Sequence, residues 1–200
     1  SAMYDFDLVC IGSGPAGQRA AVQAAKLGCR VAVAEKRHIV GAICVDTGTL
    51  PSQTVREAVV FFSGLVGRFD WRQAAWEETR PTVEQLLSRV GAVMRRETEV
   101  IERQLRRNGI GLLWGEASFQ DPHTILVESE RGWRTVTTAN ILLAVGTRPA
   151  PPPGMEADGD VVITSDGVMH LSQLPRSMVV VGGGIIGIEY ASMFASLGVQ

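Results

Sequence analysis

The stretch that decides the fold is residues 5–35, DFDLVCIGSGPAGQRAAVQAAKLGCRVAVAE. Residues 7–11 form a short apolar run of strand length, and residues 12–17 follow at once with the pattern G-x-G-x-x-G. The alanine-rich residues after them predict a helix, and residues 30–34 predict a second buried strand with Glu35 at its tip. Strand, glycine turn, helix, strand and terminal acid occur in the order of a dinucleotide-binding βαβ unit.

Each glycine of residues 12–17, the first fingerprint, has a physical role. Gly12 permits the tight turn out of the strand, Gly14 lets a pyrophosphate approach the backbone, and Gly17 lets the helix lie close to the sheet. Pro15 and Ala16 open the helix, whose first N–H groups and dipole attract phosphate.

Glu35 supplies the second part of the nucleotide prediction. Its carboxylate is able to accept hydrogen bonds from ribose hydroxyls, and its charge would repel a 2′-phosphate. A glycine turn that merely joins a strand to a helix is the alternative. The agreement of all five features favours nucleotide binding.

Composition narrows the class of protein. The 200 residues are 46% hydrophobic and 20% charged with a net charge of −2, which gives no electrostatic case for binding nucleic acid or a membrane surface. No apolar run approaches the ~20 residues of a membrane-spanning helix. Three cysteines do not form a disulfide framework, so we expect a reducing, cytoplasmic setting. Cys10 and Cys29 are predicted to be core residues, and the three histidines show no metal-ligand spacing.

The middle of the chain changes from helical to strand periodicity. Residues 36–48 are loop-like, residues 64–80 are irregular, and residues 151–154 form a proline-rich linker. The apolar spacing predicts helices over 51–62 and 82–108, then strands over 110–119, 124–128, 133–137 and 141–145, the last of them buried.

A second fingerprint, residues 182–187, follows a predicted buried strand at 178–181 and precedes a predicted helix at 188–197. Its glycines Gly182, Gly184 and Gly187 repeat the pattern of the first. A lone strand and helix bury no core of their own, so we expect the chain to be an N-terminal fragment of a longer protein. The predicted domains are residues 4–150, a linker at 151–176, and the beginning of a nucleotide domain at 177–200.

Two fingerprints separated by a helix, a β-meander and an A-x-G-T-R-P turn at residues 144–149 resemble the pyridine nucleotide–disulfide oxidoreductases. This resemblance implies an α/β fold: a Rossmann-like FAD-binding domain of the three-layer ββα type with a β-meander, plus the start of a second Rossmann-like NAD(P)-binding domain. It also implies FAD at the first fingerprint and NAD(P) at the second.

The resemblance extends to individual positions. It implies that Glu35 and Lys36 hold the ADP half of FAD with the first fingerprint. The further contacts it implies are Gly41, Thr47 and Gly48 along the flavin side, the backbone of Ala117 at the adenine, and Ala144 and Gly146 at a second approach to FAD.

Residues 41–53, GAICVDTGTLPSQ, depart from the disulfide enzymes, which carry a second cysteine where Thr49 stands and a lysine where Gln53 stands. Cys44 alone makes no redox disulfide, so electrons that reach FAD must leave by a second nicotinamide, a quinone or oxygen. A buried thiol without a redox task is therefore one interpretation of Cys44, and Thr49 also suits a helix N-cap.

One branch of the family, the soluble pyridine nucleotide transhydrogenases, carries the same C-x-x-x-G-T pattern. Residues 48–52, 56–59 and 189–194 also resemble that branch. The implied reaction takes hydride from NADPH to FAD and then to NAD. The implied catalytic positions are Gln53, Cys44, Thr49 and Glu189, with Glu189 aligned to the acid that pairs with the family lysine. Without that lysine's charge, we expect a flavin that is harder to reduce.

Two other functions stay open. One is an FAD-dependent NAD(P)H dehydrogenase or quinone reductase, or a homologue similar to dihydrolipoamide dehydrogenase. The other is a non-catalytic nucleotide-binding module. For the longer protein we expect small nicotinamide substrates, no nucleic-acid or membrane partner, no metal, and a homodimer or higher homo-oligomer. For the 200 residues alone we predict no transhydrogenase activity.

Overall fold

The computed structural model describes residues 3–66 and 81–200. Its elements begin with β1 (Phe6–Ile11), α1 (Pro15–Lys26), β2 (Val31–Glu35), α2 (Ala42–Asp46), α3 (Thr49–Val66) and α4 (Val83–Arg107). They continue with β3 (Gly111–Trp114), β4 (Glu116–Asp121), β5 (Thr124–Ser129), β6 (Gly132–Leu143), a 3₁₀ helix (Ser165–His170) and α5 (Ile185–Ser196). The predicted irregular stretch 64–80 falls outside the described residues from residue 67 onward, and residues 64–66 belong to α3.

Six strands form one sheet in the order β3-β2-β1-β6-β5-β4. Strands β3, β2 and β1 pair in parallel, and β6 continues the parallel part beside β1. Strands β4, β5 and β6 pair antiparallel as a meander. Strand β6 therefore belongs to both parts of the sheet. It pairs antiparallel with β5 as far as Thr137, and it pairs in parallel with β1 at Thr138 and residues 140–143.

Three layers enclose the core of this region. The meander residues Ile125, Val127 and Val136 are buried against Val9 and Ile11 of β1. Because strand side chains alternate between faces, the neighbouring residues of β1 and β2 project to the other side. Helix α1 packs against those two strands and buries Gly17, Ala21 and Val22. The three-layer α/β fold predicted for the first fingerprint is confirmed.

The chain divides into two compact units, residues 1–46 with 94–147 and residues 47–93 with 148–200. The first holds the sheet and α1. In the second, α3 packs against α5 around an apolar cavity of about 20 Å³ whose lining includes Val55, Val59 and Tyr190. A cavity of that size is far smaller than a nucleotide, so it is a packing defect of the apolar core.

Three predictions about strands are wrong. Residues 110–119 were expected as one strand, but Gly115 separates β3 from β4. Residues 133–137 and 141–145 were expected as separate strands, but β6 is continuous, and Leu143 and Val145 are 61% and 70% exposed. One edge of β6 pairs with β1 and the other pairs with β5 only as far as Thr137. In the described part of the chain, no strand of the meander therefore covers that other edge after Thr137. Residues 178–181 form no strand, and Val179 is 88% exposed.

Two local predictions also need correction. The loop predicted over 36–48 contains the short helix α2, which follows Gly41 at φ +105° and begins at Ala42, whose φ is +51°. Cys29, predicted as a core residue, is exposed because it precedes the first residue of β2 and has no sheet neighbour. Cys10 is buried as predicted, and burial raises the pKa of its thiol to about 11.

Candidate functional site

The loop of the first fingerprint is compact enough to exclude side chains. Gly12 has φ +107°, and a Cβ there would lie 2.2 Å from the carbonyl oxygen of Ala144. A Cβ on Gly17 would lie 2.0 Å from the carbonyl oxygen of Gly12. The turn therefore requires glycine at both positions, and it places the predicted site residue Ala144 directly beside the fingerprint.

The N-terminus of α1 offers free backbone donors. Gly14 caps the helix in an extended conformation, Pro15 follows it, and no side chain supplies a cap. The first turn also contains no acidic residue that would repel an anion. Unpaired N–H groups and the positive end of the helix dipole together fit a pyrophosphate.

Glu35 ends β2 as a buried carboxylate, 5% exposed. Its Oε2 accepts the N–H of Ser13 at 3.0 Å and the hydroxyl of Ser13 at 2.5 Å, while its Oε1 accepts the N–H of Arg37 at 2.9 Å. The carboxylate thus ties the tip of β2 to the fingerprint loop. The structure brings together the acid and the glycines that the sequence predicted as one nucleotide site.

The segment after β2 is held by ion pairs. The ammonium of Lys36 pairs with Glu116 of β4 at 3.4 Å, and Arg37 pairs with Asp46 of α2. Both members of the Lys36 pair are largely exposed, so we expect a small contribution to stability. Lys36 and Ala117 are both predicted contacts of the ADP half of FAD. The ion pair links Lys36 to the residue directly before Ala117 in β4.

Two further predicted contacts of the first unit differ in their surroundings. Gly41 has φ +105°, and a Cβ on it would lie 2.3 Å from Cγ2 of Val45, so only glycine fits. Gly146 has φ +67° in open space, with nothing within 4 Å of a Cβ. Cys44 lies in α2 and is half-buried, where a buried thiol was one interpretation of the sequence.

In the second unit, Thr47 has an unusual environment. Its hydroxyl is buried and has no hydrogen-bond partner among the described residues. An unpaired buried hydroxyl costs free energy, so such an atom marks a place where a ligand's polar atom would be favourable. Its predicted contact with the flavin stays a prediction.

The predicted catalytic residues of the second unit lie on two packed helices. Thr49 begins α3, Gln53 lies in its second turn, and Glu189 lies in α5. The side chains of Gln53 and Glu189 are both exposed, and no hydrogen bond joins them within the part of the chain that is described. Their predicted roles stay predictions.

The second fingerprint repeats the loop geometry. Gly182 has φ +118°, Gly184 caps α5 in an extended conformation without a side-chain cap, and a Cβ on Gly187 would lie 2.3 Å from the carbonyl oxygen of Gly182. Nothing lies within 4 Å of a Cβ built on Gly182.

Sequence reasoning missed Ser13 and Gln18. Ser13 fills a variable position of the G-x-G-x-x-G pattern, and its contact with Glu35 joins residues 22 apart. Gln18 donates from Nε2 to the carbonyl oxygen of Ser13 at 2.7 Å. The only available signal was a small hydroxyl residue inside a glycine turn, which specifies no partner.

Other site classes find no support in the described residues. Over residues 3–66 and 81–200, no group of three or more His, Cys, Asp or Glu side chains is placed to bind a metal ion. None of the helices seen in those ranges has both the length and the apolar character needed to cross a membrane.

Residues 6–200 match the family model of the pyridine nucleotide-disulphide oxidoreductases. The chain is 49% identical over 200 residues to a soluble pyridine nucleotide transhydrogenase of Mycobacterium bovis, covering 99% of this chain and 43% of that protein. It is 36% identical to a dihydrolipoamide dehydrogenase of Chaetomium thermophilum, over 97% of this chain and 39% of the relative.

A solved structure has a similar fold. The HOCl-induced flavoprotein disulfide reductase RclA of Escherichia coli matches with a TM-score of 0.79 and 27% identity, covering 97% of this chain and 40% of that one. The chain therefore spans about two fifths of the length of the relatives it matches.

Proposed function

The chain belongs to the pyridine nucleotide-disulphide oxidoreductase family, which uses FAD and pyridine nucleotides, and we propose that it is the FAD-binding part of a transhydrogenase. The longer protein would transfer hydride from NADPH to NAD without a redox disulfide. The observation that carries the proposal is the first fingerprint, whose uncapped helix N-terminus and buried Glu35 suit the pyrophosphate and ribose of a dinucleotide.

The residues of the first unit fit FAD in two respects. The N–H groups at the start of α1 would hold the pyrophosphate, and Glu35 would hold the adenosine ribose. Bound FAD supplies the two-electron carrier between nicotinamides. The protein's own contribution is to bind and orient it.

The absence of a disulfide partner for Cys44 supports the choice of reaction. Within residues 41–53 Cys44 is the single cysteine, and Thr49 stands where the disulfide enzymes carry the second one. Cys10, Cys29 and Cys44 are all free thiols. A dithiol substrate would have no thiol pair here to exchange with, which leaves a second nicotinamide, a quinone or oxygen as the acceptor. The 49% identity to a soluble pyridine nucleotide transhydrogenase favours the second nicotinamide.

We also propose the organisation of the longer protein. Residues 4–150 would form most of the FAD domain, 151–176 a linker, and 177–200 the beginning of the NAD(P) domain. The protein would be a cytoplasmic homodimer or higher homo-oligomer, with nicotinamide nucleotides as its partners. The similar geometry of the second fingerprint supports the third of these segments.

The test is an anaerobic absorption experiment on the full-length protein. We expect a flavin spectrum that bleaches with NADPH and recovers when NAD is added. Bleaching that only a quinone or oxygen reverses would replace the proposal by an NAD(P)H dehydrogenase. A protein that holds no flavin would be the non-catalytic module.

Gln53→Lys tests the role of the missing positive charge. We expect the variant of the full-length protein to have a higher flavin reduction potential and faster reduction by NADPH, because an ammonium stabilises the negative charge of reduced flavin. Gln53→Met, which adds no charge at similar length, is the matched control. An unchanged potential and rate in Gln53→Lys would defeat the idea.

A further inference from the structure

Ser13 is the one hydroxyl residue inside the first fingerprint, and it is completely buried. Both of its donors point to the same atom, since its N–H lies 3.0 Å and its Oγ 2.5 Å from Oε2 of Glu35. A hydrogen bond to a carboxylate at these distances belongs to the strong, charge-assisted class. The contact therefore fixes the orientation of the Glu35 side chain.

The hydroxyl of Ser13 is itself held in place. Its Oγ accepts the N–H of Gly41 at 3.0 Å, and its carbonyl oxygen accepts both that N–H at 3.2 Å and the side-chain amide of Gln18 at 2.7 Å. Within residues 3–66 and 81–200, the hydroxyl proton has one acceptor, Glu35, and the oxygen has one donor, Gly41. The serine is thereby locked between the loop after β2 and the acid at the end of β2.

Counting acceptor positions on Glu35 gives a specific consequence. A carboxylate has about four lone-pair positions, two on each oxygen. Ser13 occupies both positions of Oε2, and the N–H of Arg37 occupies one of Oε1. After these donors, which are the ones found among the described residues, one acceptor position is left, and it lies on Oε1.

We propose that Ser13 is a positioning residue that restricts Glu35 to accepting one, and not both, of the adenosine ribose hydroxyls at the first fingerprint. The inference rests on the proposed nucleotide binding at this site and goes further, because it assigns the selectivity of the acid to a neighbouring hydroxyl. Without the hydroxyl of Ser13 the backbone N–H of residue 13 would still bond to Oε2, but that oxygen would regain one acceptor position, and the carboxylate would offer one position on each oxygen.

The test of this inference is a comparison of three ligands. Calorimetry would measure how tightly the flavin-free 200-residue chain binds ADP, 2′-deoxy-ADP and 3′-deoxy-ADP. One deoxy analogue should bind about tenfold or more weaker than ADP, the effect of losing a hydrogen bond to a charged group. The other should bind within about threefold of ADP, since its missing hydroxyl had no acceptor on Glu35. This comparison needs no variant.

Ser13→Ala then separates positioning from a general structural role. In this variant both deoxy analogues should bind more weakly than ADP, with dissociation constants within about threefold of each other, because both hydroxyls find an acceptor. A merely structural role would weaken all three ligands equally and leave their ratios unchanged. Thermal unfolding of the unliganded variant reports whether it is folded.

Ser129→Ala is the matched control. Ser129 also donates and accepts through its hydroxyl, to the carbonyl oxygen of Gly132 and from the N–H of Arg131, at the β5–β6 turn. Its removal should leave the ligand ratios as they are.

Three results would be decisive against the inference. The inference is overturned if the two deoxy analogues bind the unsubstituted chain equally more weakly than ADP. It is also overturned if Ser13→Ala leaves the ratios of the three dissociation constants unchanged. In both cases ADP binding still supports the proposed function. A folded chain that binds neither ADP nor FAD overturns the nucleotide site itself and the inference with it.

Discussion

The two fingerprints have the same loop geometry in different surroundings. Their first glycines have φ +107° and +118°, and a Cβ on their last glycines would lie 2.0 and 2.3 Å from the carbonyl oxygen of the first. Both helices begin at a glycine cap with ψ 177° or 174°. Yet Val9, three residues before the first loop, is fully buried in a strand, while Val179, three residues before the second, is 88% exposed and outside any strand.

The six residues of a fingerprint specify the glycine turn and the start of the helix. The strand before them forms only where a sheet provides neighbouring strands. The glycine turn and helix start form from local contacts in both places. A strand needs backbone partners on its edges, and in the first unit β2 and β6 provide them for β1. In the described part of the second unit, the run 178–181 is bonded to Gln200, because the N–H of Met178 donates to the carbonyl oxygen of Gln200.

Gly12→Ala and Gly182→Ala should give the largest contrast. Both put a side chain at a positive φ, which costs about 1–2 kcal/mol. Only the first also forces a Cβ to 2.2 Å from the carbonyl oxygen of Ala144, and we expect a total loss of about 3 kcal/mol or more. Urea denaturation of each variant followed by circular dichroism measures the loss. Equal losses would show that strain at φ, and not the close packing of the first loop, dominates.

Val9→Ala and Val179→Ala compare the two runs that precede the loops. The first removes buried methyl groups from the core and should cost about 2 kcal/mol. The second changes an exposed side chain and should stay within about 0.5 kcal/mol. Hydrogen exchange read by mass spectrometry reports each unit separately. A comparable cost at both positions would mean that the run 178–181 is packed in solution.

The smallest effect concerns pH and the segment before the first loop. Hydrogen bonds from Thr137 lower the pKa of Asp5, and those from Arg30 lower the pKa of Asp7, below the ordinary 3.8. A carboxylate with a lowered folded-state pKa stabilises the fold above its unfolded pKa and loses that contribution as pH falls through the folded value. Residues 171–178, before the second loop, contain no acid.

We therefore expect the melting temperature of the first unit to fall slightly below about pH 4. In Asp5→Asn with Asp7→Asn that decrease should be shallower, with a lower melting temperature at pH 7. Melting curves from pH 2 to 7 measure it. A steeper acid loss in the double variant would assign the pH dependence to other carboxylates.

The parts of the fold that the sequence predicts well depend on short-range patterns. The order of β1, α1 and β2 follows from a glycine pattern and apolar runs within 31 residues, and Val55 and Val59 are buried as their helical spacing indicates. The glycines of the site follow from the same pattern.

What the sequence did not reveal depends on distant neighbours. Helix α2 has five residues, too few for a periodic signal. Residues 138–140, which the prediction left between two strands, lie inside β6 where the strand exchanges one partner for another. The bond from Ser13 to Glu35 joins two elements, and nothing in either local sequence specifies it.

The continuity of β6 has a consequence for ligand affinity. Because one backbone runs through the meander and the parallel sheet, the predicted adenine contact at Ala117 and the fingerprint loop against Ala144 are anchored to the same strand network. Their separation is set before any nucleotide arrives, so binding loses little conformational entropy in aligning them. In the proposed FAD complex, the contacts for the adenine and for the pyrophosphate would therefore already be held at a fixed spacing.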